Sequence, residues 1–186
     1  MDDRISNICS EIEQIARDAT ATFGHLGRDQ LNWKSSPKVW SIAQCFDHLI
    51  TINSLYFPIF EKMRSDTVAG SFLERNSPLS GFFGRYLMKV LSPEYSKKIK
   101  TSKKAFPSAS DLGGDIIKRF DEHQQQLAQH ISQVSPKIDL KKTVITSPLL
   151  GLVTYSLDDA LTIVTVHERR HFDQAKRVID ADGFAD

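Results

Sequence analysis

Residues 157–178, LDDALTIVTVHERRHFDQAKRV, repeat apolar side chains at intervals of three and four residues. This spacing predicts a helix with one buried stripe. His167 and His171 lie on that stripe, and their imidazoles leave the same helix face one turn apart. Burying two imidazoles is unfavourable unless each nitrogen finds a partner, and a divalent metal would satisfy both. The spacing therefore predicts a chelating pair whose third ligand comes from elsewhere in the chain.

Similar periodicity predicts three further helices, at residues 4–26, 41–63 and 110–134. Ser41 and Gln44 can form a capping box at the start of the second, and Pro58 should kink that helix or end it early. The fourth helix is expected to begin at Ser156, with Asp159 as its capping partner, and to run to about residue 180. We expect residues 137–155 to be an extended connection, because one short β-branched run has no strand partner.

Residues 65–109 are interrupted by glycine and proline, and only Phe82 to Leu91 resemble a short amphipathic helix, which Pro93 should end. This segment could be a packed crossover or a lid over a pocket. A lysine cluster follows, which could attract an anionic small molecule or form solvated surface. It comprises Lys97, Lys98, Lys100, Lys103 and Lys104.

Four long helices with a long link between the second and third predict an all-α four-helix bundle with a crossover connection, as one domain over residues 1–186. The net charge of +1 argues against a nucleic-acid partner. No apolar run approaches the ~20 residues that span a bilayer, so we expect no signal peptide, no membrane partner and a cytoplasmic location. Cys9 and Cys45 lie on apolar stripes and are predicted to be reduced core residues.

The segment from His167 to His171 also fits the H-E-x-x-H pattern of zinc metalloproteases. That interpretation requires a third ligand downstream, but the fifteen residues after His171 contain no histidine or glutamate. A di-iron carboxylate site would use Glu168 and His171 as one Glu-x-x-His pair and needs a second such pair. None of the other five histidines follows a glutamate at that spacing, so both alternatives are disfavoured.

The remaining combination is His48 from the second helix with His167 and His171 from the fourth. Three neutral imidazoles leave coordination positions open for water or substrate, as in catalytic metal sites. His123 and His130 on the third helix are weaker candidates, because glutamines flank them.

Three other residues near these histidines have two interpretations each. Glu168 could act as a general base or orient a histidine, but it lies about 100° around the helix from His167, and a surface salt bridge to an arginine is equally compatible. Gln44 could contact a ligand, although the capping box already accounts for it. Cys45 could be a soft metal ligand or a small core residue. No catalytic residue is assigned.

Two segments of the chain resemble the DinB-like metal-binding four-helix bundles. They are WSIAQCFDHL at residues 40–49 and HERRHFDQA at residues 167–175, with a weaker similarity in IKTSKKAFP at residues 99–107. The resemblance implies an up-down-down-up bundle in which His48, His167 and His171 bind a divalent ion such as nickel or zinc.

The resemblance also implies a range of activities rather than one reaction. Characterised members of such a family include isomerases and S-transferases that use a low-molecular-weight thiol as cofactor or cosubstrate. A metal with open positions suits thiol activation and also hydrolysis. We therefore expect a metal-dependent transferase or hydrolase acting on a small molecule, with a non-catalytic metal- or ligand-binding bundle as the alternative. The surplus of apolar positions on the second helix is compatible with a homodimer.

Overall fold

The computed structural model describes residues 3–65, 74, 77, 79–95, 105–109 and 111–184, and this part of the chain is mostly helical. Its helices are α1 (Asp3–Phe23), α2 (Arg28–Asn32), α3 (Ile42–Ser54), α4 (Phe57–Lys62), α5 (Ser80–Leu91), α6 (Ile116–Ser132) and α7 (Leu157–Ile179). Its strands are β1 (Val144–Thr146) and β2 (Thr154–Ser156).

The first predicted helix is confirmed as α1, although it ends three residues earlier than expected. Its apolar stripe is buried from Ile5 to Phe23. The chain then forms the five-residue helix α2, which the sequence did not predict. α2 is too short to show a helical period of its own, and Leu31 is its one buried side chain.

The predicted capping box at the start of α3 is confirmed. Ser41 Oγ accepts a hydrogen bond from the Gln44 amide at 3.1 Å, and Gln44 Oε1 accepts one from the Ser41 amide at 3.2 Å. The helix ends at Ser54, and Pro58 occupies the first turn of α4, where its missing N–H costs no helical hydrogen bond. The break predicted near Pro58 is therefore found, and α3 and α4 together occupy the segment 41–63 that was predicted as one helix.

The four longer helices α1, α3, α6 and α7 pack against one another around the core. α1 and α3 each contact both α6 and α7. One apolar cluster contains Ile8, Ile12 and Leu127, and the other contains aromatic pairs such as Phe23 with Phe46 at 5.3 Å between ring centroids. These contacts place α3 and α7 side by side, with the face of each that carries histidine inside the protein.

Two predictions about the second half of the chain are wrong. The third long helix, α6, begins at Ile116 rather than at residues 110–111, since Gly113 and Gly114 do not sustain a helical first turn. Residues 137–155 are not simply an extended link, because β1 pairs antiparallel with β2 and Ile145 lies opposite Tyr155. A strand of three residues is too short to show alternation, so the sequence pattern did not reveal β2.

The predicted start of α7 is confirmed, because Ser156 Oγ accepts a hydrogen bond from the Asp159 amide at 3.0 Å. The predicted short helix in the crossover is also confirmed as α5, which ends before Pro93. α5 packs along α7 and against β2, with Gly84 directly against Asp159. The lysine cluster at 97–104 lies outside the described residues.

Among the helices that the structure describes, none combines the length and the apolar character that crossing a membrane requires.

Candidate metal centre

The imidazoles of His48, His167 and His171 converge at the interface of α3 and α7. The Nε2 atoms of His48 and His167 are 3.4 Å apart, and those of His167 and His171 are 3.0 Å apart. One nitrogen from each ring lies within 4.8 Å of the other two. The side chains are only 3%, 7% and 7% exposed. The structure thus brings together the three histidines that the sequence singled out.

A main-chain carbonyl fixes the orientation of the His48 ring. His48 Nδ1 lies 2.5 Å from the carbonyl oxygen of Ala105. A carbonyl can only accept a hydrogen bond, so Nδ1 carries the proton and Nε2 keeps its lone pair. This lone pair faces His167. Hydrogen bonding of the distal ring nitrogen to a carbonyl is the usual way in which proteins orient a metal-binding histidine.

All three histidines are neutral in this environment. Burial lowers the pKa of His48, and it lowers the pKa of His167 to about 3. The pKa of His171 is also far below its ordinary value, because of burial first and then the neighbouring His167 and His48. The positive charge of Arg170 acts in the same direction on both α7 histidines. Neutral imidazole is the form that binds a metal.

The spacing of the nitrogens fits a bound divalent ion. Zinc binds imidazole nitrogen at about 2.0–2.1 Å, so two such ligands of a tetrahedral ion lie roughly 3.3–3.4 Å apart. The separations of 3.0 Å and 3.4 Å are close to that value. The Nε2 atoms of three buried rings also face one another, and a common electrophilic partner would satisfy them. The donor set and its spacing therefore suit zinc or nickel, both of which imidazole binds well.

Trp40 forms an aromatic wall beside the histidines. Its ring is stacked on His171, with centroids 5.6 Å apart and planes at 21°. It also lies 4.9 Å from the His48 ring and 6.3 Å from Phe106. In the sequence Trp40 is marked only by its position directly before the capping residue Ser41. Its contact with α7 depends on how the two helices pack, which the local sequence pattern does not encode.

Glu168 is fully buried, so the expectation that it could form a surface salt bridge is wrong. Its Oε1 accepts a hydrogen bond from Asn53 Nδ2 at 2.6 Å. Burial raises the pKa of Glu168 to about 8, and the side chains of Gln124 and Asn53 oppose that rise. The position about 100° around α7 from His167 turns this carboxyl toward α3 and α6. Asn53, which sequence reasoning missed, gave no signal beyond its place in a helical segment.

The two arginines that follow Glu168 bind elsewhere. Arg169 forms an ion pair with Glu11 of α1 at 2.7 Å. Arg170 Nη1 donates hydrogen bonds to the carbonyl oxygens of Ser92 and Tyr95 at 2.7 Å and 2.8 Å. Arg170 thereby joins α7 to the end of α5.

The other candidates from the sequence do not join the histidine cluster. Gln44 Nε2 donates a hydrogen bond to the Ala109 carbonyl, and its Oε1 completes the capping box. Cys45 is fully buried, and burial raises the pKa of its thiol to about 12, as expected of a core cysteine. His123 lies 3.1 Å from Ser54 Oγ, and both His123 and His130 stack on Phe57.

Residues 105–109 of the crossover are held against α3 through main-chain atoms. The Ala105 and Ala109 carbonyls accept hydrogen bonds from His48 and Gln44. The Ser108 amide donates one to Asp47 Oδ2 at 2.6 Å. Three side chains of α3, those of Gln44, Asp47 and His48, thus hold this segment beside the histidines, and the segment in turn orients the His48 ring.

A cavity of about 1030 Å³ adjoins the three histidines. α3, α5, α7, the β1–β2 connection and residues 105–106 contribute its walls. Its volume is at the upper end of that of small-molecule binding sites, which are largely apolar with a few polar groups. Glu94, at the surface, is the one carboxylate among the described residues that line it.

The predicted resemblance is confirmed by comparison with protein families. Residues 11–175 match the family model of the DinB superfamily, a span that contains all three histidines and most of the chain. Neither the curated proteins nor the solved structures gave a match to the chain. The extent of the family match shows that this chain belongs to the DinB superfamily.

Proposed function

We propose that this protein is a metal-dependent enzyme that transfers a low-molecular-weight thiol to a small electrophile, with His48, His167 and His171 as the metal ligands. The observation that carries the proposal is the convergence of three buried neutral imidazoles on the wall of a cavity of about 1030 Å³. We further propose that α1, α3, α6 and α7 form an up-down-down-up four-helix bundle, which their mutual contacts support.

The ligand set supports a catalytic rather than a structural role for the ion. Structural zinc sites are closed by four protein ligands, whereas catalytic sites use three and leave a position for water or substrate. The described residues supply three histidines, and the cavity reaches each of them. When bound, a divalent ion supplies Lewis acidity, which lowers the pKa of a thiol or a water molecule that binds it.

The surrounding residues have defined tasks in this proposal. Ala105 holds the His48 ring so that its lone pair faces the site. Trp40 covers the His48 and His171 rings and shields them from water. Glu168 lies behind the histidines, bonded to Asn53, and does not line the cavity in the described part of the chain.

This arrangement favours thiol transfer over hydrolysis. Activated water generally relies on a positioned base to remove a proton, and Glu94 at the surface is the one lining carboxylate that the structure describes. A thiol has a much lower intrinsic pKa and needs no such base once its pKa is lowered further. Hydrolysis of small esters or amides is therefore the competing activity, and the turnover assay includes such substrates.

Metal content tests the proposal first. The protein is purified without a histidine tag and analysed by elemental mass spectrometry. We expect about one nickel or zinc ion per chain, and its loss in His48→Ala and His167→Ala. His25→Ala is the matched control, since His25 is exposed and outside the cluster. Equal metal content in all four proteins would contradict the ligand assignment.

Turnover tests the second part. Metal-replete protein is assayed with glutathione, bacillithiol and mycothiol against a panel of electrophiles, and with ester and amide substrates. We expect thiol consumption that disappears after chelation and returns when the metal is restored. A protein that binds metal and gains thermal stability, but turns over none of these substrates, would support the alternative of a non-catalytic binding bundle.

A further inference from the structure

We infer that the cavity binds an amphiphilic anion, with the acidic group at the end formed by Lys38 and Arg177 and the apolar group at the end formed by Tyr155 and Leu150. The histidines lie between these ends. The inference deepens the proposed function, on which it rests for the identity of the reacting centre. The residues that would bind the two ends of the ligand are not the metal ligands, so this binding can be measured in the metal-free protein.

The order of lining residues along α7 gives the cavity its polarity. They run in the order Ile163, Val164, His167, Arg170, His171, Gln174, Arg177, so the first end of this wall is apolar and the far end is polar and cationic. At about 1.5 Å of rise per residue, Ile163 and Arg177 are roughly 21 Å apart along the helix. The metal centre therefore lies midway along an elongated wall rather than at one end.

The apolar end is assembled from several elements. α5 contributes Leu87 and Val90, the β1–β2 connection contributes Leu149 and Leu150, and Tyr155 belongs to β2. The hydroxyl of Tyr155 is bonded to that of Tyr56 at 2.7 Å, so both rings present carbon rather than free polar groups. This end suits an alkyl or aryl group.

The cationic end carries charge that the described residues do not neutralise. Lys38 and Arg177 are exposed, and neither forms an ion pair with a described residue. With Arg170 they make three lining cations against the single carboxylate of Glu94. An acidic group on a ligand would complement this balance.

The spacing of the cations on α7 points the same way. Arg170 and Arg177 both line the cavity and lie seven residues apart, which places them on the same stripe of the helix, roughly 10 Å apart. An anionic ligand in the cavity is attracted by both side chains, whereas a cationic ligand is repelled by both.

Binding of three simple probes tests the inference. Octanoate, octylammonium and acetate are titrated into metal-free and zinc-loaded protein, with quenching of Trp40 fluorescence as the signal in a Trp33→Phe background. We expect octanoate to bind at least about tenfold more tightly than either of the others. The metal-free protein decides the outcome, because a carboxylate can also ligate zinc directly.

Paired variants assign the ends. Arg177→Gln should weaken octanoate binding roughly two- to fivefold, as for a partly exposed ion pair, and Lys176→Gln should not. Lys176 is an exposed neighbour on α7 that does not line the cavity. Leu150→Ser should weaken octanoate and leave acetate unchanged, whereas Leu152→Ser should change neither, since Leu152 is 85% exposed and lies outside the lining.

Three results would overturn the inference: octylammonium binding as tightly as octanoate, equal effects of the Arg177 and Lys176 variants, or no binding of octanoate to metal-free protein. Failure of the proposed function gives a different result, namely wild-type protein without metal or without turnover. Octanoate binding that follows the expected order in a protein without turnover would therefore support the two-ended cavity and contradict only the enzyme.

Discussion

The buried hydroxyl pair of Tyr56 and Tyr155 allows a quantitative test of how β2 is attached to the helices. The two oxygens are 2.7 Å apart, and the side chains are 5% and 1% exposed. The Ser147 side chain opposes the rise in the pKa of Tyr155, whereas Tyr155 is the one hydrogen-bond partner of the Tyr56 hydroxyl among the described residues. The perturbation is removal of each hydroxyl singly and of both together, by substitution with phenylalanine.

The two single variants should differ because of this asymmetry. Tyr56→Phe leaves the Tyr155 hydroxyl near the Ser147 side chain and removes one hydrogen bond, worth about 1 kcal/mol. Tyr155→Phe removes the same bond and also leaves the buried Tyr56 hydroxyl without a described partner, at a total cost of about 2 kcal/mol. The double variant loses the one shared hydrogen bond and strands no Tyr56 hydroxyl, so it should cost about 1 kcal/mol, roughly 2 kcal/mol less than the sum of the two single variants.

Urea unfolding followed by circular dichroism measures these free energies, with unchanged m values as the condition for comparing them. Tyr86→Phe serves as the control, since Tyr86 is 54% exposed and its removed hydroxyl should alter stability by less than about 0.5 kcal/mol. Additive single effects, or a larger effect at Tyr56 than at Tyr155, would refute the reasoning.

Two further predictions concern the packing of α5 and the effect of pH. A Cβ at Gly84 would lie 2.6 Å from Asp159 Cγ, whereas one at Gly81 meets only Arg85 Nη1 at 3.4 Å. Both alanine substitutions gain about 1 kcal/mol of helix propensity. Because of the close contact with Asp159, Gly84→Ala should be less stable than Gly81→Ala by roughly 1–3 kcal/mol in urea unfolding. Equal stability would contradict the contact of α5 with α7. Burial lowers the pKa of His123 to about 4. Below the unfolded value of about 6.5 the unfolded chain takes up a proton that the folded chain does not, so this residue should cost up to about 3 kcal/mol of stability between pH 6.5 and pH 4. His123→Gln should remove that part of the loss in unfolding experiments with chelator present, and parallel pH profiles of the two proteins would show the idea to be wrong.

Long periodic segments were predicted well because each carries its own signal. The stripe of α1, the capping box at Ser41 and the cap at Ser156 all depend on residues three or four apart. The pairing of β1 with β2 depends on residues on either side of a connection, and each strand has only three residues. Local patterns cannot supply that information, so the hairpin went unpredicted.

In the candidate site too, features encoded by nearby residues were predicted and features that depend on helix packing were not. His167 and His171 are close by helix geometry alone, and a helical segment with an inward face offers His48 as their partner. The contact of His48 with Ala105 uses a carbonyl that every residue carries, so no sequence signal marks it. For Glu168 the sequence left a role beside the histidines and a surface salt bridge equally open, and its buried contact with Asn53 depends on how α3 and α7 pack, which no local pattern encodes. The identity of the metal ligands stays a prediction until the ion is measured.

The way in which residues 105–109 are held bears on how such a protein can evolve. Their contacts with His48, Asp47 and Gln44 use two carbonyls and one amide of the crossover, and no side chain of it. Any residue provides a carbonyl, and any residue except proline provides the amide at Ser108. Within the space available, substitutions can therefore accumulate in this segment while the support of the His48 ring is inherited unchanged. Descendants could change what enters the cavity without having to rebuild the site beneath it.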